Sequence, residues 1–562
     1  MSDLTTQGLE PELMQAEQAF MPQDNIFRSF NALNPNIFED LISNLKTVRQ
    51  GDLSEYITVA NDGRKFQSDF VKQFSSFESM QEFSTSIGLK GSYGVYSASA
   101  SRKSKTEETS SFTTLYSTYI AEMHLGTISL NGVNEEKMLT MLKPEMVRQL
   151  NAITTLAHAH NFVNLWGTHL VTELKTGGMV LVSNSVETGS LEMRETISNK
   201  IEASYKKVGS LDLAIDSTNE IKQEWKNILQ TVKVRGGDVH MASAFNSNGR
   251  SIDKWAESVT TDTTYAVKNS IEIYKLVKGT ASEMLKRYMD LTMLAHSLKH
   301  PVIFTHGLGA PLNPKPVTVN GRSDIGFKTI GGGAAVTKDS NNFLMGCYPQ
   351  PTDGSAPTAW IATSHDLMSP TAAGDTLTGY AIAIHDPENY LDIMVAKGTG
   401  SNTGMGEDHA EATLPAGWIM TCGGAFSETI KGSNKFITSS HYKDAQTWAA
   451  ASSDYKEAAT NVVLNAYAVG IKSKDPLLHI EANYQAGAIV RGQHGSPTAI
   501  GRGFVCGGGM NVTDNSGPGN LVQMNYPSAS DIWHVHNKDH DGSASQARSQ
   551  AFAISLQANI QL

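Results

Sequence analysis

Cysteine is scarce in this chain of 562 residues, which contains only Cys347, Cys422 and Cys506. The number is odd, the spacing is wide and no Cys-x-x-Cys pair occurs, so the sequence offers neither a disulfide framework nor a zinc site. Long apolar runs are also missing, because no stretch approaches the roughly 20 apolar residues of a membrane-spanning helix. We therefore expect a chain that is water-soluble when first made.

Basic residues are fewer than acidic ones. Lys and Arg number 45 against 56 Asp and Glu, which gives a formal net charge of −11. This balance argues against a sequence-independent grip on a phosphate backbone, so no nucleic-acid partner is expected. The first 25 residues lack a basic n-region and an apolar h-region, which predicts that export does not use a secretory signal peptide.

Catalytic motifs are absent too. The sequence has no GxSxG, no P-loop, no HExxH and no cysteine with a plausible histidine partner. We therefore expect no enzymatic activity and no cofactor. The length predicts two to four domains, each large enough to bury its own core.

The most informative feature is a motif in which an aromatic-Gly-Thr-His run is followed, after a short spacer, by a glycine pair. Its residues are Trp166, Gly167, Thr168, His169, Gly177 and Gly178. We interpret the Trp and His as anchors in the core of a sheet, and the glycine pair as a place where the backbone bends. The alternative is a core Trp, a satisfied His and a bulge glycine pair in an unrelated sheet protein.

Two later segments fit both a strand and a helix. The outgoing arm has apolar odd positions at Leu191, Met193, Ile197, Ile201 and Tyr205, and the return arm has them at Leu211, Leu213, Ile215, Ile221, Trp225 and Leu229. Alternation predicts strands long enough for a membrane hairpin, which needs roughly 9–11 residues per strand, with residues 207–210 at its tip. Spacing by four also fits one face of a helix. An ordinary helical pair is the alternative.

A similar segment precedes the motif. Phe70, Phe74 and Phe77 suggest a helix face, residues 102–105 a charged tip, and residues 112–120 a return strand. Between them, apolar residues alternate with small and polar ones at Phe83, Ile87, Leu89, Tyr93 and Val95. A solvated loop is the alternative for this segment.

The region after the second segment is expected to close the domain. Residues 232–238 are predicted to form a strand that ends in a turn at Gly236 and Gly237. Helices are predicted at residues 255–258 and from Ile271 to Leu294, which places the end of the domain near residue 300.

Taken together, these features resemble the membrane attack complex/perforin (MACPF) family over roughly residues 25–300. One position departs, since Leu170 stands where the family usually has Tyr or Phe. The resemblance implies an α+β fold with a bent antiparallel sheet flanked by two helical clusters. It further implies a soluble monomer that forms a homo-oligomer on a target-cell membrane, where the clusters unfurl into hairpins. The hinge would comprise Gly177, Gly178, Gly236 and Gly237, and charged even positions between 192 and 226 would line the pore.

The C-terminal half contains three copies of one unit. Proline opens the copies at Pro301, Pro387 and Pro476, and each copy ends in a similar strand, at 380–384, 467–471 and 552–556. The copies are 301–386, 387–475 and 476–562, and their short alternating segments with Gly turns predict all-β lobes around a pseudo-threefold axis, like a β-prism.

Each copy also repeats a Trp followed six residues later by an Asp. The pairs are Trp360 and Asp366, Trp448 and Asp454, and Trp533 and Asp539. They are candidates for receptor binding, with Trp stacking on a sugar and Asp accepting from hydroxyl groups. The alternative is structural, with Trp filling the core of a lobe and Asp bonding in a turn. His534 and His536 near Asp539 make a conceivable metal cluster, but the other copies lack both histidines, so no metal is expected.

These expectations combine into one hypothesis with three domains. Residues 1–24 form an extension, 25–300 a pore-forming domain, and 301–562 a domain that binds a protein or glycan receptor. The last of these resembles the C-terminal module of certain bacterial insecticidal pore-forming proteins, which implies extracellular action on the membrane of a target cell, such as one of the insect gut. Two alternatives remain open: a non-lytic adhesion or colonisation protein, and a multivalent lectin with a structural N-terminal domain.

Overall fold

The computed structural model separates into two compact units, one up to Met289 and the other from Asp290 to Gln561. The described residues are 21–34, 41–73, 81, 84–85, 88–96, 114–187, 199, 229–243, 251–309, 316–337, 340–366, 376–402, 407–429, 435–454, 462–492, 494–513, 520–539 and 547–562.

The first unit is built on one antiparallel sheet. Its strands are β1 (Ser29–Phe30), β2 (Ile57–Gln73), β3 (Thr114–Leu130), β4 (His169–Glu187), β5 (Leu229–Arg235) and β6 (Thr264–Glu272). The central strand β4 pairs with β3 on one side, and on the other side with β6 over its first half and β5 over its second. The predicted return strand is found from Thr114 onward, and the strand predicted before Gly236 is β5.

The helices of this unit are α1 (Glu135–Met141), α2 (Pro144–Asn151), α3 (Leu156–Trp166), α4 (Val239–Ser243), α5 (Ser251–Ser258) and the first half of α6 (Thr280–Lys299), within which the unit boundary falls. Capping side chains or a proline mark where three of these helices begin. The side chain of Asn134 accepts from the Lys137 amide ahead of α1, Pro144 opens α2, and Thr155 accepts from the His158 amide at α3.

Two predictions of secondary structure for this unit are wrong. Phe70 lies in β2 rather than on a helix face, because its segment continues a 17-residue strand paired with β3. Ile271 lies in β6, where it pairs with Leu170, and the closing helix begins only at Thr280. In both places apolar spacing typical of a helix occurs inside a paired strand.

In its described part the second unit is made of strands, apart from α6 and one short turn of 3-10 helix. They are β7 (Val302–Gly309), β8 (Val317–Asn320), β9 (Phe327–Val336), β10 (Asn342–Gln350), β11 (Ala359–Asp366), β12 (Thr376–His385), β13 (Leu391–Asn402), β14 (Glu407–Thr413), β15 (Ile419–Thr429), β16 (Lys435–Tyr442), β17 (Thr447–Asp454), β18 (Val462–Ser473), β19 (Leu478–Ala486), β20 (Val490–Arg491), β21 (His494–Gly495), β22 (Thr498–Ile500), β23 (Val505–Thr513), β24 (Leu521–Pro527), β25 (Ile532–Lys538) and β26 (Arg548–Ile560).

These strands form three sheets, and each sheet draws on two sequence repeats. The first repeat places β7, β9 and β12 in one sheet with β24 and β25, and β8, β10 and β11 in another with β13, β15 and β18. The third sheet joins β14, β16 and β17 of the second repeat to β19, β23 and β26 of the third. The predicted lobes are therefore not independent, because every sheet is completed by a neighbouring repeat.

Three equivalent bulges meet where the repeats converge. Ile330, Thr421 and Cys506 are each the extra residue in the ladder to β12, β18 and β26 respectively. The Thr421 hydroxyl donates to the Ile330 carbonyl at 2.6 Å, and the Cys506 thiol donates to the Thr421 carbonyl at 3.2 Å. Gly331 and Gly507 follow two of the bulges, and a Cβ on either would overlap the backbone of the adjacent repeat. This contact is the pseudo-threefold centre of the unit.

Candidate functional site

Four strand ends lie in one row at one end of the sheet in the first unit. Gln73 of β2 pairs with Tyr116 of β3, Tyr116 pairs with Ser185 of β4, and Ser185 pairs with Leu229 of β5. The connection from β2 to β3 and the connection from β4 to β5 are each about 40 residues long. Both connections therefore leave and re-enter the sheet at this same end of the strands. Both also carry residues predicted to insert into a membrane.

The four predicted hinge glycines converge at the opposite end of β5 from this row, seven residues back along β4 from Ser185. Gly177 and Gly178 lie in β4, Gly236 and Gly237 directly follow β5, and the four are called the glycine corner below. Positive φ angles occur at Gly177 (129°), Gly236 (67°) and Gly237 (70°). A Cβ on Gly236 would lie 3.0 Å from the Gly178 Cα and would also crowd the Gly177 carbonyl. Only glycine satisfies both the backbone conformation and the close approach.

Helix α5 closes the glycine corner. The indole Nε1 of the fully buried Trp255 donates to the Gly236 carbonyl at 2.9 Å, and the Ser258 hydroxyl accepts from the Asp238 amide at 2.8 Å. A Cβ on Gly178 would lie 2.9 Å from the Trp255 ring. The sequence analysis did not assign Trp255 to the site, because 18 positions separate it from Gly237 and no motif links the two.

The same helix covers one face of the sheet and is clamped by a distant arginine. Its apolar side packs against a core cluster of β3 and β4 that contains Tyr119, Ala121, Met123, Leu125, Val180 and Val182. The guanidinium of Arg64, in β2, donates to the carbonyls of Ala256, Glu257 and Val259. A cation at these terminal carbonyls also complements the helix dipole. Helix α5 thus ties β2, β4 and β5 together.

Buried and partly buried polar side chains also join β2, β3 and β4 across the sheet. The buried carboxylate of Glu122 in β3 accepts from the Gln67 amide of β2 at 2.6 Å and from the Lys175 ammonium of β4 at 3.4 Å. Nearby, His124 Nε2 lies 2.8 Å from Asp62 Oδ2, and this hydrogen bond is the main reason why the pKa of Asp62 lies below its ordinary value. Cross-strand contacts of this kind hold β2, β3 and β4 in register.

The aromatic-Gly-Thr-His motif forms a junction between a helix and a strand. Trp166 is the last residue of α3 and is only half-buried, so the interpretation that it lies in the sheet core is wrong. Its indole instead donates to Gln149 of α2 at 2.7 Å. Gly167 ends the helix with φ of 91°, and a Cβ there would crowd the backbone of Phe30. The buried Thr168 hydroxyl accepts from the Ala32 amide at 2.8 Å.

His169 opens β4 inside the core of the unit. Its ring stacks on Phe30 at a centroid distance of 5.0 Å and lies perpendicular to the ring of Tyr93 at a centroid distance of 4.4 Å. Burial lowers the pKa of His169 to about 4, against a smaller opposing effect of Glu272, so the ring is neutral at pH 7. The atypical Leu170 beside it is fully buried and pairs with Ile271 of β6.

The first predicted membrane segment is docked on the sheet where the structure describes it. Residues 91–96 are helical, and Leu89 and Val95 are buried. The Tyr96 hydroxyl donates to the Leu33 carbonyl at 2.9 Å. The ammonium of Lys90 donates to the Lys268 carbonyl of β6 at 3.2 Å and lies 3.4 Å from Asn269 Oδ1. Helical conformation and docking both fit the expected soluble state.

Several predicted inserting residues lie outside the described residues. Phe83 and Ile87 belong to this group in the first segment, as do all those from Leu191 to Trp225 in the second. Leu229 is described, and it is the first residue of β5. Its position fixes where the second connection rejoins the sheet.

The repeated Trp and Asp residues of the second unit do not face solvent. Trp360, Trp448 and Trp533 are each 0% exposed, and Asp366, Asp454 and Asp539 are also buried. The indoles donate to Cys347, Ser440 and Asn525 respectively. A Cβ on Gly332, Gly423 or Gly508 would overlap the facing Trp ring. The receptor-binding interpretation of these residues is therefore wrong, and they serve as core anchors of the sheets.

Within the described ranges, no group of three or more His, Cys, Asp or Glu side chains is arranged to hold a metal ion. His536 Nδ1 instead lies 2.6 Å from the Ser496 hydroxyl. The part of the chain that the structure describes also contains no helix both long and apolar enough to cross a membrane.

One known protein family matches part of this chain in sequence pattern, and some solved structures show a partial likeness to it. A family profile of the MAC/Perforin domain matches residues 28–297, while no curated protein matches the chain. The chain is similar to the crystal structure of GNIP1Aa from Chromobacterium piscinae, with 16% identity and a TM-score of 0.35 over 71% of this chain and 76% of that one. It is also similar to a MAC/Perforin-domain protein of Bacteroides thetaiotaomicron, with 14% identity and a TM-score of 0.37 over 51% and 63% of the two chains. The resemblance seen in the motif is thus confirmed, and residues 28–297 of this chain are a MAC/Perforin domain.

Proposed function

We propose that this protein forms pores in membranes by extending residues 74–113 and 188–228 into two β-hairpins. The observation that carries the proposal is the row of strand ends from Gln73 to Leu229, from which both segments leave the sheet. Hairpins that grow from this row add to strands that are already paired, so the existing hydrogen-bond ladder can propagate without a new nucleus.

The register of β4 with β5 favours a hairpin in the second segment. Continuing the pair Ser185↔Leu229 one residue at a time brings the two arms together at Lys207, within the tip predicted from the sequence. Without a bulge, odd positions then lie on the face of Met179 and Leu181, and even positions lie on the face that α5 covers. Apolar odd positions would meet lipid, and charged even positions would line the pore.

The first segment fits this scheme less closely. Continuing the pair Gln73↔Tyr116 places the tip at Gly94 and Val95 rather than at residues 102–105. In that register Arg102 is opposite Ile87, which mixes charge into a face that is apolar on the outgoing arm. The second segment therefore supports the proposal more strongly than the first segment does.

Insertion requires release of the contacts that hold the soluble form. Among the described strands, β2 pairs only with β3 and β5 only with β4, so these two edges are the ones that another subunit would extend. Closure of the oligomer into a ring would satisfy the backbone groups that lipid cannot. We propose that the glycine corner bends as α5 and its Trp255 move away from it.

For the second unit we propose receptor binding at a target-cell surface outside the producing cell, with three similar faces acting multivalently. The receptor class is protein or glycan, and an insect gut target is proposed from the resemblance. We also propose that the protein acts without catalysis and without a cofactor. A non-lytic adhesion protein and a lectin are the alternatives, and both predict binding without leakage.

A reversible lock on the first segment tests the proposal. Lys90 and Asn269 are changed to cysteine and joined by a cleavable thiol-reactive linker, since their side chains lie 3.4 Å apart in the soluble form. The native cysteines are buried, and burial raises the pKa of the Cys347 thiol to about 12, so they react slowly. Dye release from vesicles of target-cell membrane should stop in the linked protein and return on reduction.

Each single-cysteine variant, treated with the same linker, is the control and should release dye normally. Release by the linked protein at the wild-type rate would show that the first segment need not leave the sheet. Tight binding of the wild-type protein without any release would favour adhesion or a lectin.

A further inference from the structure

The second repeat holds a buried lysine where another repeat has asparagine. Lys435, the first residue of β16, pairs with Asp454 of β17, and the equivalent pair in the first repeat is Asn342 with Asp366. All four residues are buried. A lysine at this position brings a full positive charge into the interior, which is costly unless it is neutralised.

Two carboxylates surround this lysine. Its Nζ lies 2.9 Å from Asp408 Oδ2 and 3.5 Å from Asp454 Oδ2. The side chains of Lys435 and Asp408 are both 0% exposed, and that of Asp454 is 8% exposed. A desolvated ion group of this kind rarely contributes more stability than apolar residues of the same size. Stability alone therefore does not explain why the lysine and the two carboxylates are buried together.

The second carboxylate is specific to the repeat that has the lysine. Asp408 lies on β14 opposite Ser452, four residues after Trp448. The equivalent position in the third repeat is Gly495, which lies opposite Asn537, four residues after Trp533. Gly495 has no side chain, so the third repeat offers no counterpart of this carboxylate. Asp408 and Lys435 thus form a matched pair on strands that are not neighbours, since β17 lies between them.

We propose that Lys435 and Asp408 condense to an intramolecular isopeptide bond, with Asp454 as the proton carrier. The Lys435 ammonium gives one proton to Asp454, Asp454 passes it to Asp408, and the neutral amine then attacks Cγ of the protonated Asp408. The Nζ–Cγ bond forms and one Cγ–O bond breaks. The departing oxygen leaves as water with the two protons lost by nitrogen, so ammonium and carboxylate become amide and water without any oxidant or co-reactant.

The surroundings favour this condensation. The reacting groups are held at contact distance by paired strands, which supplies the proximity that an intermolecular reaction lacks. Exclusion of bulk water removes the solvation that stabilises the ionised pair and keeps water from hydrolysing the amide. The product replaces two buried charges with one neutral amide and ties β14 to β16 across β17. The cross-link would stabilise the sheet that joins the second and third repeats.

Intact-mass measurement of the denatured full-length protein tests the proposal directly. The wild-type chain should be lighter than its sequence mass by one water molecule, about 18 Da. Proteolysis should give a branched peptide that joins the Lys435 and Asp408 segments, and trypsin should not cleave after Lys435. The full sequence mass, with unlinked Lys435 and Asp408 peptides, would overturn the proposal and leave an ion group only.

Matched variants assign the roles. Lys435→Met and Asp408→Ala should each restore the full mass, and Asp454→Asn should restore it while keeping both reacting side chains. Because masses are read on denatured chains, a variant that folds poorly does not obscure the wild-type result. If Asp454→Asn still lacked the mass of one water molecule, Asp454 would not be the proton carrier. If Lys435→Met still lacked that mass, the cross-link would lie elsewhere in the chain.

Discussion

At the scale of single residues, His169 links the family motif to a segment that is proposed to leave the sheet. Its ring lies between Phe30 and Tyr93, and its Nδ1 is 2.8 Å from the Thr168 hydroxyl. Burial disfavours the charged ring more than Glu272 favours it. Protonation of this one side chain would therefore weaken the packing of Tyr93 in the first segment.

We predict that acid destabilises the protein through His169. The folded-state pKa of about 4 is below the ordinary value of 6.5, so the unfolded chain binds more protons between these values. The contribution to the free energy of unfolding is complete above pH 6.5 and decreases as the pH falls toward 4, by about 3 kcal/mol at most. Urea unfolding at pH 7 and pH 4.5 measures this loss.

The matched variant is His169→Asn, which keeps a polar side chain but does not titrate. It should lose less stability than the wild type over the same pH interval. His385 in the second unit also has a pKa lowered to about 4 by burial, so the difference between wild type and variant, rather than the absolute slope, isolates His169. Equal losses in the two proteins would contradict the assignment.

Single residues also show where sequence reasoning was limited. The recurrence of Trp360, Trp448 and Trp533 was visible in the sequence, but recurrence is equally typical of a binding residue and a core anchor. Their burial depends on glycines such as Gly332, which lie under the rings but are distant in sequence. Only the three-dimensional pairing decides between the two roles.

At the scale of elements, the contact between α5 and the glycine corner is the clearest candidate for a latch. Gly237 has a φ of 70°, and a Cβ there would lie 2.8 Å from Trp255 Nε1 and 2.9 Å from the Ser258 hydroxyl. Gly279 provides a comparison, since its φ is 66° and no atom lies within 4 Å of the Cβ position.

We predict that Gly237→Ala destabilises the protein more than Gly279→Ala. Both variants incur the cost of a left-handed alanine, about 1 kcal/mol. Gly237→Ala must also displace α5, and we expect a total loss of about 3 kcal/mol. Guanidinium unfolding monitored by tryptophan fluorescence measures both. Equal losses would mean that α5 accommodates a methyl group and does not close tightly on the corner.

The elements were predicted well where periodicity and turns agreed. The strand before Gly236 and the helix over Met284 to Leu294 were visible because a turn or a sustained period of 3.6 marks each one. Phe70 and Ile271 were misassigned because a few apolar residues spaced by four also occur within long strands. Pairing with β3 and with β4 overrides that local pattern.

At the scale of the whole molecule, the sharing of sheets makes the three repeats of the second unit interdependent. The sheet of β14, β16 and β17 is completed by β19, β23 and β26, and the sheet of β9 is completed by β24. We predict that removal of residues 476–562 unfolds the two remaining repeats, because two of the three sheets each lose four of their seven strands.

Limited proteolysis of the shortened chain measures this effect. Residues 301–475 should be digested rapidly, whereas the MAC/Perforin domain should be digested at the same rate in the shortened and the full-length chains. Persistence of a resistant fragment that covers residues 301–475 would show that the repeats fold as separate lobes.

The threefold recurrence of the Trp and Asp residues was visible in the sequence, but the composition of the sheets was not. The strand ladder between the first two repeats consists of two pairs, Gly346↔Phe426 and Cys347↔Ala425. Contacts so few and so distant in sequence leave no periodic signal. The same limit applies to the row of strand ends in the first unit, which depends on the register of four strands.

A fluorescence scan of the second segment tests the central claim most directly. Single cysteines at Met193, Arg194, Ile201 and Glu202 would carry an environment-sensitive dye, and emission would be compared in solution and on target-cell membranes. The account predicts that on membranes the dye at positions 193 and 201 moves into an apolar environment, while the dye at positions 194 and 202 stays in water. No difference between odd and even positions on a membrane that the protein permeabilises would contradict it.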